Sequence, residues 1–413
     1  MISFKYWNYS HCAACIGSKG GKSMDRIKYH AHYKREWAFL HPLATLIARL
    51  FLRFRAKIES PPGPFLLLSN HLTDQDPILL GSAFRPQMYF VASEHILRKG
   101  FISRLLEFIF SPIARQKGGN AASTVKGIIR TLRAGCNVAL FPEGNRTWDG
   151  ITGPIPTATA KLARSSGAYL VTYRMKGGYL TSPRWGGSRI RKGRMTGSIV
   201  GVYSPEELKA MSSDEVYKVI CRDLYEDAWE TQREEPVNYV GKNPAEHLET
   251  FLFACPECGS LHSLKSKGDR ISCIECGASS RYLDTGLLEG DFRFSTIPEW
   301  SRWQDGLIDG IIEESSDEPV FSDDGVELQE ISSAKEGKKL GRGRVTLFRD
   351  RLELPGGIVI PGSEISGMSI RGANECFVGT SDGRSFQLDP EGNICMQKYV
   401  VACRKLGYID IAV

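Results

Sequence analysis

The chain has 413 residues, which is too long for one ordinary hydrophobic core and predicts two or three domains. With 42% hydrophobic and 24% charged residues, it has the composition of a soluble globular protein rather than of a chain built from membrane spans. The net charge of +6 is uneven, because residues 1–60 contain eleven Lys and Arg against three Asp and Glu. This basic end indicates contact with an anionic membrane surface or with nucleic acid.

The eleven cysteines are not distributed like a disulfide framework. Four of them form two C-x-x-C pairs, and no secretory signal is recognisable at the amino terminus. Both observations predict a reducing, cytoplasmic setting.

A basic tail is predicted for residues 1–35, followed by the most apolar long stretch of the chain, Glu36 to Lys57. Its uncharged run ends at Arg49, well short of the roughly 18 residues that a membrane-spanning helix needs. After Pro42, apolar residues recur at helical spacing: Leu43, Leu46, Ile47, Leu50 and Phe54. The pattern predicts an amphipathic helix that lies in the lipid headgroup region. The alternative is an ordinary helix packed on the domain core.

Predicted strands and helices alternate from Phe65 to Met175, and a helical region from Ser204 to Gln232 follows. The alternation predicts an α/β domain over residues 36–240, with a mixed sheet layered by helices. We expect functional side chains at the carboxyl ends of its parallel strands.

One such strand end carries a histidine and a carboxylate, in "LLLSNHLTDQDPILL". Phe65 to Leu68 reads as a buried strand, and Pro77 suits the first position of a helix. Asp76 can therefore be the N-cap of that helix. It can also hold the imidazole of His71 in one tautomer if the intervening residues form a turn. The residues alone leave both readings open.

Two further strand ends supply charged groups. "ALFPEGNRT" presents Glu143 and Arg146 after an apolar strand, and "SPIARQKGG" presents Arg115. A guanidinium group suits the recognition of phosphate. Together with His71, the three ends would combine one base with two arginines.

The two C-x-x-C pairs have the spacing C-x2-C-x14-C-x2-C and predict a zinc ribbon over residues 245–290. A glycine follows each pair, which permits the tight turn of a metal knuckle. Four thiolates form a closed, structural zinc site with no open position for chemistry. The predicted ligands are Cys255, Cys258, Cys273 and Cys276.

A linker, acidic in part, is predicted for residues 291–338. From residue 339 to 413, short strand-like runs alternate with Gly and Asp turns, and an apparent helix, "NICMQKYVVACRKLG", follows them. This order predicts a small β-rich domain, a barrel or a sandwich, capped by one carboxy-terminal helix.

The sequence resembles the glycerophosphate and lysophosphatidic-acid acyltransferase family over roughly Ala44 to Gln232. "NHLTDQD" resembles the family's N-H-x4-D motif, "PIARQKGG" its arginine motif, and "FPEGNRT" its F-P-E-G-x-R-S/T motif. The family's fourth motif usually has a proline in an apolar run, whereas the corresponding region here has none before Pro183. More weakly, the terminal β-rich part resembles a PH-like or GRAM-like domain.

The resemblance implies an O-acyltransferase in which His71 is the general base and Asp76 orients it. The donor would be acyl-CoA or acyl-carrier protein, and the acceptor a lysophospholipid such as 1-acylglycerol-3-phosphate, at the cytoplasmic face of a membrane. By the same resemblance, the acceptor and its phosphate would be held by the remaining motif residues: Asn70, Arg115, Glu143, Gly144, Arg146 and Thr147.

Two other functions compete with this one. An inert acyltransferase-like domain could serve as an adaptor that binds partners through the zinc ribbon and the PH-like domain. A nucleic-acid reader built on the ribbon is the third possibility, but the basic stretch "SLKSKGDR" contains no aromatic residue for base stacking. We therefore expect no nucleic-acid partner.

Overall fold

The structure, a computed structural model, describes residues 27–93, 111–115, 121–186, 190–332 and 335–409. Within these ranges the chain forms three sheets, of seven, four and seven strands. Most of the predicted basic tail lies outside the described residues, as does part of the alternation predicted from Phe65 to Met175, which includes "ISRLLEFIF".

The first sheet is mixed, in the order β1-β7-β6-β2-β5-β3-β4. Its strands are β1 Phe54–Ala56, β2 Phe65–Ser69, β3 Met88–Ser93, β4 Ile113–Arg115, β5 Asn137–Leu140, β6 Tyr169–Lys176 and β7 Met195–Tyr203. The strands from β6 to β4 in this order run parallel, while β7 is antiparallel to β6 and parallel to β1. The carboxyl ends of β2, β5 and β4 therefore lie on the same side of the sheet, as predicted.

Helices cover both faces of this sheet. The helices of this part of the chain are α1 His30–Leu50, α2 Asp76–Ala83, α3 Ala121–Arg133, α4 Ala158–Ser165, α5 Gly178–Thr181, α6 Pro205–Ala210, α7 Ser213–Leu224 and α8 Ala228–Glu234. Leu66 and Leu68 of β2 belong to a core with α3, α4 and α7, whereas Phe65 and Leu67 belong to a core with α1 and α2. Because both faces of β2 are buried, its sequence is a continuous apolar run instead of an alternating one.

Helix α1 differs from the prediction at both ends. It begins at His30, continues through Pro42 and ends at Leu50, so that Phe54 is a buried residue of β1. Packing of Tyr33 and Trp37 against the cores of the sheet extends the helix to the amino-terminal side of the proline. Among the described helices, none is long and apolar enough to cross a membrane.

The second sheet is antiparallel, in the order β11-β10-β9-β8. Its strands are β8 Leu264–Lys267, β9 Arg270–Cys273, β10 Ser279–Tyr282 and β11 Leu288–Gly290, and a 3-10 turn, Leu248–Thr250, precedes them. The core of this ribbon is continuous with the α/β domain, because Cys255, Cys273 and Tyr282 share one buried cluster with Tyr179 and Trp229. The ribbon is thus packed onto the α/β domain.

The stretch 291–338, predicted as a linker, contains ordered elements. It holds helix α9, Ile297–Glu314, and strand β12, Phe321–Ser332. Trp300 is fully buried in the ribbon core, and Ile308 is fully buried in the core of the terminal domain. Several of the acidic residues that indicated a linker are exposed at the end of α9 and after it: Glu313, Glu314, Asp317 and Glu318.

The third sheet is antiparallel, in the order β15-β14-β13-β12-β18-β17-β16. With β12, its strands are β13 Lys335–Leu347, β14 Arg351–Leu354, β15 Ile358–Pro361, β16 Ile365–Arg371, β17 Glu375–Thr380 and β18 Ser385–Pro390; a 3-10 turn, Gly362–Glu364, precedes β16. Helix α10, Gln397–Lys405, buries Tyr399 and Cys403 in the core of this sheet. The C-terminal β-domain, residues 321–409, thus has the predicted β-rich composition and the predicted terminal helix.

Candidate active site

His71 lies in the turn that follows β2, beside Asp76 at the start of α2. Its Nδ1 is 2.8 Å from Oδ2 of Asp76. An ionised carboxylate only accepts hydrogen bonds, so this contact places the ring proton on Nδ1. Nε2 has no hydrogen-bond partner within the described part of the chain, and the imidazole is one-fifth exposed, at 19%. Nε2 is therefore the nitrogen that can accept a proton from a substrate.

The carboxylate of Asp76 is buried and saturated with hydrogen bonds from the same turn. Oδ2 also accepts from the N–H groups of Leu72, at 2.6 Å, and Thr73, at 3.0 Å, and Oδ1 accepts from the Thr73 hydroxyl at 2.6 Å. The possible role of Asp76 as an N-cap is not realised. The N-cap is Gln75, with no side-chain bond, and the carboxylate points back to the turn instead of forward to the helix.

The imidazole is also fixed from one face. The rings of His71 and Phe141 are stacked, with centroids 4.3 Å apart and planes inclined by 18°. Phe141 directly follows β5, the strand next to β2 in the sheet. The imidazole of His71 is thus held by a carboxylate at one edge and by an aromatic ring on one face.

Glu143 connects two loops through backbone hydrogen bonds. Its Oε1 accepts from the N–H of His71 and its Oε2 from the N–H of Gly153, each at 2.7 Å. Burial raises the pKa of Glu143 to about 8, although the two N–H donors favour the ionised form. Since both oxygens are engaged, the direct role of Glu143 in the structure is to hold the turn of His71 in place.

Three other predicted site residues are also engaged within the protein. The amide of Asn70 is buried and exchanges two hydrogen bonds with the backbone of Met175, at 2.9 and 2.8 Å. The hydroxyl of Thr147 donates to the carbonyl of Ile151 at 2.6 Å. Gly144 has a φ of 71°, which favours glycine in the turn. These residues shape the loops around His71 and leave other groups to face a ligand.

Arg146 differs from these residues, because part of its guanidinium group has no partner in the part of the chain that the structure describes. Its side chain is only 7% exposed, and Nε lies 3.1 Å from Oδ1 of Asp74. Nη1 is buried and has no hydrogen-bond partner among the described residues. A buried N–H donor without an acceptor is costly, so the site is suited to an anion that accepts from it.

Arg115 ends β4, which pairs in parallel with β3. Its backbone lies on the side of the sheet formed by the carboxyl ends of the parallel strands, as does His71. Its backbone therefore lies where the prediction put it. The side chain of Arg115 lies outside what the structure describes.

Arg184 was not predicted as a site residue. Its guanidinium group is buried and donates to the backbone carbonyls of Arg146, at 3.2 Å, and Gly372, at 3.0 Å. It also lies over the ring of Trp148, 4.1 Å from the ring centroid. Burial lowers the pKa of Arg184 to about 9, with a further lowering by the Arg146 guanidinium. The sequence signal available was an arginine beside Trp185 in an otherwise uncharged stretch, "GGYLTSPRWGG".

The four predicted metal ligands come together at the tip of the ribbon. All four sulfur atoms lie within 4.8 Å of one another. The Sγ atoms of Cys255 and Cys276 are 3.7 Å apart, and those of Cys258 and Cys273 are 3.8 Å apart. A zinc ion bound at 2.3 Å by four tetrahedral sulfurs sets them about 3.8 Å apart. The four cysteines can therefore hold a metal ion, and the spacing fits zinc.

Helix α1 exposes an apolar face. Phe39 is 84% exposed, Leu46 52% and Leu50 64%, while Trp37 and Ala48 on the other side are buried. A contiguous group of this kind usually marks a surface that is covered by a partner or by lipid.

Residues 52–176 match the family model described as Acyltransferase. Two curated relatives carry the name 1-acyl-sn-glycerol-3-phosphate acyltransferase. The protein from Borreliella burgdorferi is 26% identical over 109 residues, which cover 26% of this chain and 43% of the relative. That from Bacillus subtilis is 28% identical over 133 residues, which cover 32% of this chain and 62% of the relative.

Among solved structures, the 1-acyl-sn-glycerophosphate acyltransferase PlsC from Thermotoga maritima is similar with a TM-score of 0.36 and 20% identity; the match covers 49% of this chain and 82% of that one. For the two curated relatives, from Borreliella burgdorferi and Bacillus subtilis, the aligned residues span less than two thirds of the relative's length. The matched segment 52–176 contains His71, Asp76, Glu143 and Arg146 and supports the predicted acyltransferase domain.

Proposed function

We propose that the protein is a membrane-associated O-acyltransferase that transfers an acyl chain from acyl-CoA or acyl-carrier protein to a lysophospholipid. The acceptor we favour is 1-acylglycerol-3-phosphate, the substrate class that the names of the two curated relatives indicate. The observation that carries the proposal is the hydrogen bond from His71 to Asp76, beside a turn that bears Arg146; within the described ranges, Nε2 of His71 and Nη1 of Arg146 have no partner.

In this reaction, Nε2 of His71 takes the proton of the acceptor hydroxyl as the hydroxyl oxygen attacks the thioester carbonyl carbon. Asp76 stabilises the imidazolium that forms, because its Oδ2 accepts the hydrogen bond from Nδ1. The tetrahedral intermediate then collapses with cleavage of the carbon–sulfur bond. The imidazolium returns its proton to the departing thiolate, which leaves as a thiol, and the ester product remains.

Arg146 is proposed to bind the phosphate of the acceptor. The turn that bears it is tied to the catalytic turn, since the N–H of Thr147 donates to the carbonyl of His71 at 3.0 Å. A phosphate on Nη1 would thus be held at a fixed position relative to Nε2 of His71. Such positioning converts a bimolecular encounter into a reaction between oriented groups. Arg115 is proposed as a second phosphate contact.

The exposed face of α1 is proposed to rest on the cytoplasmic side of a membrane. Its apolar residues suit insertion among lipid tails, and Arg49 at the end of the helix suits the anionic headgroups. This arrangement would bring the enzyme to the membrane surface in which its lipid acceptor resides.

The metal site is proposed to hold one structural zinc ion through Cys255, Cys258, Cys273 and Cys276. Four sulfur ligands leave no position for a substrate. The contribution of the ion would be to fix the ribbon, whose small core could not fold alone.

The test is His71→Ala, assayed for thiol release from acyl-CoA and acyl-carrier protein with a panel of lyso-lipid acceptors. We expect turnover to fall about 10²- to 10⁴-fold, the usual share of general-base catalysis. His32→Ala, at an exposed histidine of α1, serves as the matched control and should leave turnover unchanged.

Near-wild-type acyl transfer by folded His71→Ala would rule out the mechanism. If the wild-type protein transfers no acyl group to any acceptor from either donor, the adaptor function becomes the better account of the chain.

A further inference from the structure

A large cleft lies between the acyltransferase domain and the C-terminal β-domain. Its volume is about 1740 Å³, beyond the roughly 300–1,000 Å³ of ordinary small-molecule pockets. Apolar side chains of both domains line it, among them Ile128, Phe141, Leu162, Met368, Phe377 and Val401. The cleft is thus a composite surface that neither domain forms alone.

The two walls are joined by buried hydrogen bonds. Arg184, in the acyltransferase domain, donates to the carbonyl of Arg146 on its own side and to the carbonyls of Ile370 and Gly372 on the other side. Ile370 lies in β16, and Ile370 and Arg146 both line the cleft. The β-domain wall is therefore fixed relative to the turn of Arg146.

The cleft also reaches the end of β5, next to the turn that bears His71. Phe141 lines it and stacks directly on the imidazole of His71. Arg146 also lines it, and its buried Nη1 has no partner among the described residues. One end of this space, whose lining is both polar and apolar, therefore brings Arg146 close to the ring that packs on the proposed base, as a molecule with an anionic head and an apolar tail requires.

We propose that the acyl chain already present on the lysophospholipid acceptor lies in this cleft, against the C-terminal β-domain, with its phosphate at Arg146. This inference rests on the proposed function and adds the place and chemical class of the bound tail. The β-domain then becomes a determinant of acceptor chain length. It is a part of the substrate site that lies outside the matched segment 52–176.

Gly367 offers a direct way to test the occupancy of the cleft. It lies in β16, an edge strand of the third sheet, and lines the cleft. A Cβ built at Gly367 meets no heavy atom within 4 Å, and its φ is not in the left-handed region. A larger side chain at this position therefore begins in open space beside the cleft, without a backbone clash at its Cβ.

The experiment compares wild type with Gly367→Leu and Gly367→Phe on 1-acylglycerol-3-phosphates that carry octanoyl, dodecanoyl or hexadecanoyl chains, with one fixed donor. Each methylene that loses its buried position weakens binding about fourfold. We expect the preference in kcat/KM for hexadecanoyl over octanoyl acceptor to fall on the order of tenfold or more. Gly306→Leu, at an exposed glycine of α9 outside the cleft, is the matched control and should keep the wild-type preference.

A second readout is independent of turnover. Titration with a fluorescent hexadecanoyl lysophosphatidic acid should give a weaker Kd for both Gly367 variants than for wild type and Gly306→Leu. If wild type binds this probe but turns over no substrate, the proposed function fails while the cleft assignment stands. Unchanged acceptor preference and unchanged probe affinity in folded Gly367 variants would overturn the assignment. So would a change in chain-length preference that appears instead when the donor chain is varied at one fixed acceptor.

Discussion

At the scale of single residues, the site separates groups that shape loops from groups that can meet a substrate. Hydrogen bonds to backbone groups of neighbouring segments engage the side chains of Asn70, Glu143 and Thr147. His71 and Arg146 each keep one nitrogen without a partner among the described residues. A motif read from sequence cannot make this distinction, because both kinds of residue occur in the same short segments.

Asp76→Asn should lower kcat about a hundredfold or more at an almost unchanged melting temperature. The amide oxygen can accept the bonds from Leu72, Thr73 and His71 that Oδ2 now accepts, so the turn should keep its shape. What is lost is the negative charge that stabilises the imidazolium. Steady-state kinetics beside a thermal melt measure both quantities, and Asp214→Asn, at an exposed position of α7, is the control.

A large drop in melting temperature for Asp76→Asn would assign the carboxylate to folding instead of to catalysis. Unchanged kcat in the folded variant would separate Asp76 from the chemistry altogether.

At the scale of elements, buried apolar runs were predictable and elements set by distant packing were not. The strand at Phe65 to Leu68 followed directly from its sequence, as did the start of α6, where Ser204 and Glu207 form a reciprocal capping box. Strand β7 was missed, because glycines interrupt its apolar residues. A Cβ at Gly197 would lie 2.5 Å from the hydroxyl of Tyr173 on β6. Only the folded sheet reveals why glycine is needed there.

Helix α1 permits a prediction about membrane contact. The double substitution Leu46→Glu and Leu50→Glu places charges on exposed positions, so the fold should persist while vesicle binding weakens by about 100-fold or more. Sedimentation with vesicles that contain anionic lipid measures binding, and a thermal melt measures folding. Val240→Glu with Val359→Glu, at two other exposed apolar positions, is the matched control.

If the control is released from vesicles while the α1 variant stays bound, the membrane contact lies on another surface of the protein. Unfolding of the α1 variant would show that this face packs within the protein.

At the scale of the whole molecule, the three sheets are joined by shared cores. Trp148 packs against both the ribbon core and the core of the C-terminal β-domain, next to the turn of Arg146. Phe253 and Ala254, adjacent to the first metal ligand, belong to the core of the β-domain. The sequence did not predict these shared cores, because the contacting residues, such as Trp148 and Phe253, lie far apart in the chain.

Cys255→Ser should therefore affect more than the ribbon. We expect loss of one zinc ion per chain, measured by metal analysis, and a lower melting temperature for the whole protein, because Cys255 shares a buried cluster with Tyr179, Leu180 and Trp229 of the acyltransferase domain. Cys221→Ser, at a half-buried cysteine of α7 outside the cluster, is the control and should retain the metal.

Full acyl transfer and an unchanged melting temperature in metal-free Cys255→Ser would show that the ribbon is separable from the chemistry. Two zinc ions per wild-type chain would point to a second metal site.

The bonds of Arg184 also set an order of events during synthesis. Its acceptors at Ile370 and Gly372 are translated long after the strands that carry His71 and Glu143, and domains generally fold from the amino-terminal side as the chain emerges. Arg184 can thus gain these two contacts only when β16 and the residue after it have left the ribosome. The proposed acceptor site would therefore be completed only with the final strands of the chain.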